Sequence, residues 1–312
     1  MPVDSMQGDG PGRGEVGGIE LDRRWLGAAI ASLVAVAVLA PSGLYLIGFL
    51  GLIIASHEAG HFLVARRSGM EPTELFWGFG PEVAALQVGR CRYGINAFFL
   101  GGYVKLEGMT PASRLPPGFD EADSYRAASH RGRLATILAG PAVNLAMAYL
   151  AFAAAAMVDG EPLHRALSTG LGDLWFVIAN TGQALWLWVS NLGGYAAALF
   201  DQSGATAPPV RFLSPVAQAD VSRQAVGLGW SASLQWFGIL SCAIGAINLL
   251  PLPPLDGSHA VVAMAEKVAQ WAKRDDSLRF DVARLLPLAY LTVGALLLLS
   301  VSAMVLDIRD LV

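Results

Sequence analysis

An almost unbroken apolar run from Gly43 to Ala65 constrains this chain more than any other feature, because it holds His57, Glu58 and His61 in its second half. A run of that length and hydropathy is a membrane-spanning helix. From Gly43 to His57 is about 21 Å of helix at ~1.5 Å per residue, within a hydrocarbon core of roughly 30 Å, so the three groups are submerged. One ionisable side chain at that depth costs at least ~2.5–3.5 kcal/mol, and three together require a compensating charge. The spacing indicates a metal. Histidines at i and i+4 share one helical face and can direct ring nitrogens at one ion. The Glu beside them can hold and deprotonate a water, which is the HExxH arrangement and makes Zn²⁺ the natural partner.

Composition extends this to the whole chain. With 54% hydrophobic and 15% charged residues over 312 positions, and a mean hydropathy of +0.50, a soluble domain is excluded and a polytopic membrane protein is expected. The net charge of -4 offers no basis for a nucleic-acid partner. The few basic residues cluster between apolar runs and so encode topology. Cys91 and Cys242 form no CxxC pattern, and neither a disulfide scaffold nor a cysteine metal site is expected.

Residues 1–24 read as a disordered cytosolic tail, Gly-rich and without periodicity. An extra apolar helix over 26–40 follows, retained as an anchor because Pro41 would hinder cleavage after Ala40. It forms a hairpin with the HEAGH helix near 43–66, and arginine pairs at both ends place residues 1–24 and the segment after Ala65 in the cytosol. Residues 73–106, with aromatics punctuated by Gly, predict short strands and tight turns. His130 is expected in solvent, and the lone His164 receives no role. Further spanning helices are expected near 134–158, 227–250 and 285–306.

Two later stretches carry chemistry. Gly140-Pro141-Ala142-Val143-Asn144 puts an Asn inside a spanning helix, where it either bonds helix to helix or borders the metal. In Asn248-Leu249-Leu250-Pro251-Leu252-Pro253-Pro254-Leu255-Asp256, three prolines must break the helix and leave carbonyls free, which at membrane depth is tolerated only against protein or a water-filled cavity. Asp256 emerges from that break either as a turn residue or as the third ligand that HEAGH lacks. Residues 174–200 carry no formal charge and include Trp175, Trp186 and Trp188. Parity argues against their crossing, since an extra passage would invert Asp256 relative to HEAGH. The expectation is an amphipathic helix on the outer face, over the active-site entrance.

HEAGH, then GPAVN, then NLLPLPPLDGSH, each at a membrane helix and in that order, resembles the site-2 proteases, a family of zinc intramembrane metalloproteases. FWGFGP and GGYVK are similar to the family's membrane-dipping β-element. The resemblance covers roughly residues 43–306. It implies a mainly α, polytopic fold with a small membrane-associated β-element, forming one membrane-embedded peptidase domain over 25–312 in the cell membrane. It implies His57, His61 and Asp256 as zinc ligands, Glu58 as catalytic base, and Asn248 and Asn144 beside the substrate; His259, one helical turn after Asp256, is by its position a candidate for a group supporting the ligands. Substrates would be membrane proteins such as anti-sigma factors or signal-peptide remnants. Many bacterial members carry PDZ domains between the second and third core helices. Residues 159–226 are too short and too rich in Ala and Trp for one. Two readings compete: a membrane ion transporter, which would not need Glu58 poised as a base and would carry an inverted repeat, and a silent membrane-protein binder, which would not need the complete ligand set.

Overall fold

The computed structural model describes residues 16–109, 114–194, 197, 212–275 and 278–309. In chain order the elements are β1 (Val16–Leu21), α1 (Arg23–Leu39), α2 (Ser42–Arg67), β2 (Pro72–Val88), β3 (Cys91–Leu106), α3 (His130–Val158), α4 (Leu163–Ser190), α5 (Pro215–Leu228), α6 (Trp230–Asn248), α7 (Asp256–Lys273) and α8 (Leu286–Arg309). Four stretches are long and apolar enough to cross a membrane: Ser42–Arg67, His130–Val158, Trp230–Asn248 and Leu286–Asp307. They coincide with the four expected core helices, and the protein is a membrane protein.

The centre of the bundle is α3, antiparallel to both α2 and α6. Small residues permit the close approach, as expected where lipid offers no hydrophobic drive between helices. A Cβ on Gly60 of α2 would lie 2.9 Å from the Ala139 carbonyl oxygen, and one on Gly238 of α6 would lie 2.6 Å from the Phe152 ring. Leu46, Ile53, Ala151, Phe237 and Leu240 close one end of this packing. Ala65, Met70, Leu106, Tyr125, Ile137 and Ala260 close the other. At that second end α7 is clamped by an ion pair between Arg133 Nη2 and Glu266 Oε1 at 2.8 Å, with both side chains 5% exposed.

The β-element is a three-stranded sheet in the order β1-β2-β3. Its two long strands fold over at Gly78–Pro81 and near Phe98–Gly101, so residues 74–77 are flanked by 92–95 on one side and 102–105 on the other. Gly78, Gly80 and Gly101 have φ of 89°, 86° and 114°, a region other residues rarely adopt, and they make these reversals possible. The folded tip reaches far along α2: a Cβ on Gly51 would meet the Trp77 ring at 2.7 Å. Gly51 precedes His57 by about 9 Å of helix. The tip side chains Phe79 and Phe98 are exposed, as suits a lipid contact.

The structure departs from the sequence reading in three places. Residues 16–21, expected within a disordered tail, are strand β1, paired antiparallel with 84–88, and Arg92 bridges Glu20 and Glu82 at 2.6 and 2.7 Å. Residues 1–15 lie outside the described residues. His130, expected in solvent, is half-buried in the first turn of α3. The segment expected to lie across the outer face is part of α4, which starts at Leu163 and turns back along α3. Gly170 packs against Ala153, and Leu174, Val177 and Ile178 pack against Ala148, Phe152 and Cys242. Burial of that stripe favours lying along the bundle over lying across its end. Of residues 195–211, only 197 is described. α5 then runs back beside α6, where Trp236 Nε1 donates to Ser222 Oγ at 2.8 Å. Neither α4 nor the 14-residue α5 is among the stretches long and apolar enough to cross a membrane. α6 begins where α3 ends, with Ser231 Oγ donating to Asp159 Oδ2 at 2.7 Å.

Candidate metal centre

Three elements deliver the site. α2 supplies His57 and His61 one turn apart on the face that meets α3. α6 stops at Asn248, and the proline-rich segment after it carries the chain to Asp256, the first residue of α7. Gly257 lets α7 start there, because a Cβ at that position would strike the Leu249 carbonyl. Residues 199 positions apart thus meet: His57 Nε2 is 3.1 Å from Asp256 Oδ2, and His61 Nε2 is 3.3 Å from the same oxygen. The two Nε2 atoms are 3.1 Å apart.

These separations fit one metal ion. Ligand atoms around tetrahedral zinc at bond lengths of ~2.0–2.1 Å are about 3.3 Å from one another. The His57, His61 and Asp256 donors form the one such group among the described residues. Gly140 of α3 keeps the space before them clear, because a Cβ there would press on His61 Nε2 and lie 2.6 Å from His57 Nε2.

Both rings are also held from behind, as ligating histidines require. His61 Nδ1 donates to the Thr136 carbonyl at 2.7 Å. That carbonyl lies on the turn of α3 where Pro141, having no N–H, leaves Ile137 O without its usual helical donor. His57 Nδ1 lies 3.1 Å from Asn144 Nδ2, while the fully buried Asn144 Oδ1 has no partner. A ring that coordinates through Nε2 carries its proton on Nδ1 and needs an acceptor. Turning the amide by half a rotation presents Oδ1 to that proton and resolves both groups. Asn144 is fixed in turn by its own backbone, whose carbonyl accepts from Ser241 Oγ at 2.9 Å.

Glu58 lies on the cavity side of this group. It lines a space of about 230 Å³ together with His61, Asp256, His259, Tyr125 and the edge residues Gly102–Val104. Gly102 lets that strand approach, since a Cβ there would lie 2.8 Å from Glu58 Cγ. Asn248 is half-buried at the end of α6, where its Nδ2 donates to the Ile244 carbonyl at 3.1 Å. His164 is exposed, and Cys91 and Cys242 are buried free thiols. Sequence reasoning missed the Thr136 carbonyl and the clearance at Gly140. The glycine before Pro141 was the available signal for the second, and no local pattern marks the first.

Fold and site together define a class: a helical membrane protein in which a spanning-length helix and the start of α7 bring together a His-His-Asp group able to hold a metal. Residues 45–283 match Peptidase family M50, the site-2 protease family, and the chain belongs to it. It is similar to the zinc metalloprotease Rip1 of Mycobacterium tuberculosis (strain H37Rv), with 37% identity over 131 residues, 42% of this chain and 32% of that protein. The zinc metalloprotease Rip1 of Mycolicibacterium smegmatis is 34% identical over 125 residues, 38% of this chain and 30% of that protein. The chain spans about a third of the length of these relatives.

Proposed function

We propose that the protein is a multi-pass zinc endopeptidase of the cell membrane that hydrolyses a peptide bond within a transmembrane segment of another membrane protein. The observation that carries this reading is the convergence of His57, His61 and Asp256 beside a non-ligating Glu58, part-way along helices long enough to span. Bound there, Zn²⁺ would supply Lewis acidity toward the scissile carbonyl and the attacking water. The Glu58 carboxylate takes a proton from that water and passes it to the departing amine. Asn144 holds the His57 ring from behind instead of touching substrate, and His259 borders the same cavity one turn after Asp256. Asn248 is the group left to bond substrate backbone.

A helix cannot be hydrolysed until its scissile bond is unwound, and the unwound stretch needs partners for its peptide groups. Among the described residues, 102–106 pair only toward 72–77, so their other side is a free edge facing the cavity. Strand addition there satisfies the substrate backbone beside Glu58. The N-terminal segment and the α2–α3 connection face the cytosol, from which water reaches the cavity. Substrates of the anti-sigma-factor or signal-peptide-remnant kind suit such a site, each presenting one apolar segment.

The test is cleavage of a single-span substrate by the reconstituted protein. Cleavage should stop with a zinc chelator and return with zinc. Glu58→Gln should keep the metal and lose turnover, because it removes the base and no ligand. Turnover near the unsubstituted rate in that variant would refute the mechanism.

A further inference from the structure

Glu58 borders two cavities. Besides the polar space already described, it closes one end of an open groove of about 410 Å³ between α2 and the sheet, with Ala55 and Glu58 on the helix side. The floor is built from two cross-strand rungs. In one, Ile19 pairs with Leu86, Leu86 with Tyr93, Tyr93 with Leu75, and Leu75 with Val104. In the other, Ala84 pairs with Ile95, Ile95 with Trp77, and Trp77 with Gly102. Directly paired residues point to the same face of a sheet. Each rung therefore starts in the groove and ends on an edge residue, Val104 or Gly102, that lines the metal cavity.

We infer that this groove is a substrate subsite that takes apolar side chains of the transmembrane segment next to the scissile bond. This inference rests on the protease reading above. Of the groove-lining side chains, only Glu58 and Tyr93 carry an ionisable group, and Glu58 lies at the shared wall. The groove lies on the α2 side of the folded sheet, whose tip reaches the level of Gly51. Its size falls in the ~300–1,000 Å³ range of ligand sites. An apolar segment leaving lipid can rest on the rungs while its peptide backbone pairs along 102–106, so recognition of side chains and unwinding of backbone occur on adjoining surfaces. The small residues Ala55 and Ala84 leave the room, so the groove selects by volume.

Two measurements test this on the full chain in liposomes, with a single-span substrate that the unsubstituted protein cleaves. Ala55→Trp and Ala84→Trp, which fill the groove from opposite walls, should retain zinc and lose about tenfold or more in cleavage of a substrate with Leu or Phe beside the scissile bond. Replacing that substrate residue with Ala should restore the rate. In Glu58→Gln lacking Cys91 and Cys242, cysteines at Ala55 and Ala84 should crosslink to substrate cysteines within a few residues on one side of the cleavage point, and one at the exposed Val268 should not. Wild-type rates from both Trp variants, or no crosslink at either wall, would overturn the subsite and leave the protease reading standing. Failure of the unsubstituted protein to cleave would remove both.

Discussion

Replacing Asn144 by Ala tests whether zinc affinity is set by more than the atoms that touch the metal. The substitution removes the acceptor that the turned Asn144 amide offers to His57 Nδ1 and leaves a buried N–H without its protein partner, since Asn144 is fully buried. An unsatisfied buried donor costs about 1–3 kcal/mol. Loss of a partner behind a ligating histidine typically lowers metal affinity about 10- to 100-fold. At ~1.4 kcal/mol per decade this corresponds to ~1.4–2.7 kcal/mol, so the two estimates agree. The assay is zinc competition against a chromophoric chelator in detergent, with thermal unfolding of the zinc-free protein as a control for the cavity left in α3. Asn144→Asp, which keeps an acceptor, should bind zinc more tightly than Asn144→Ala. Zinc affinity in the Ala variant within about twofold of the unsubstituted protein would refute the argument, because the second partner would then contribute nothing.

Four further outcomes are expected. Asp256→Ala should lose most of its zinc, since three protein ligands are the usual minimum for a catalytic site, and full occupancy would point to another third ligand. Gly140→Ala should abolish zinc binding while the zinc-free protein stays as stable or gains up to about 1 kcal/mol from helix propensity, measured by metal content and melting together. Glu266→Ala leaves Arg133 buried and unpaired, so unfolding should become easier by about 3–5 kcal/mol, whereas replacing both residues with Met should recover most of the loss. Cysteines placed at Gly160 and Gly227, in a chain without Cys91 and Cys242, should react with an impermeant thiol reagent from the same side of the membrane. Reaction from opposite sides would contradict the placement of both residues at the end of the bundle where α3 ends and α6 begins.

The spanning helices were legible because each is a long apolar run bounded by arginines, Pro or Gly, and HEAGH because its spacing has few other uses at that depth. Asp256 was legible through the prolines before it, which forbid the helix to continue. Strand β1 was not: Val-Gly-Gly-Ile-Glu-Leu has no intrinsic strand preference strong enough to outweigh two glycines, and its order comes from pairing with 84–88 and from Arg92. Indoles suit an interface, but α4 is placed by a stripe at Leu174, Val177 and Ile178 whose partners lie on α3 and α6. A residue's partner across 87 positions, as for Asn144 and His57, leaves no local pattern. The resemblance placed Asn144 beside the substrate, and only its burial separates that role from supporting a ligand.

Strand β1 sets where the two edges of this sheet lie. Unpaired strand edges are templates for any extended segment that reaches them. Here the edge at 84–88 is occupied by residues 16–21 of the same chain, while the edge at 102–106 lies beside Glu58. The sheet therefore ends in two unlike edges: on one side the short, glycine-containing β1, far along the sheet from the metal group, and on the other 102–106, where an added strand would lie directly beside Glu58.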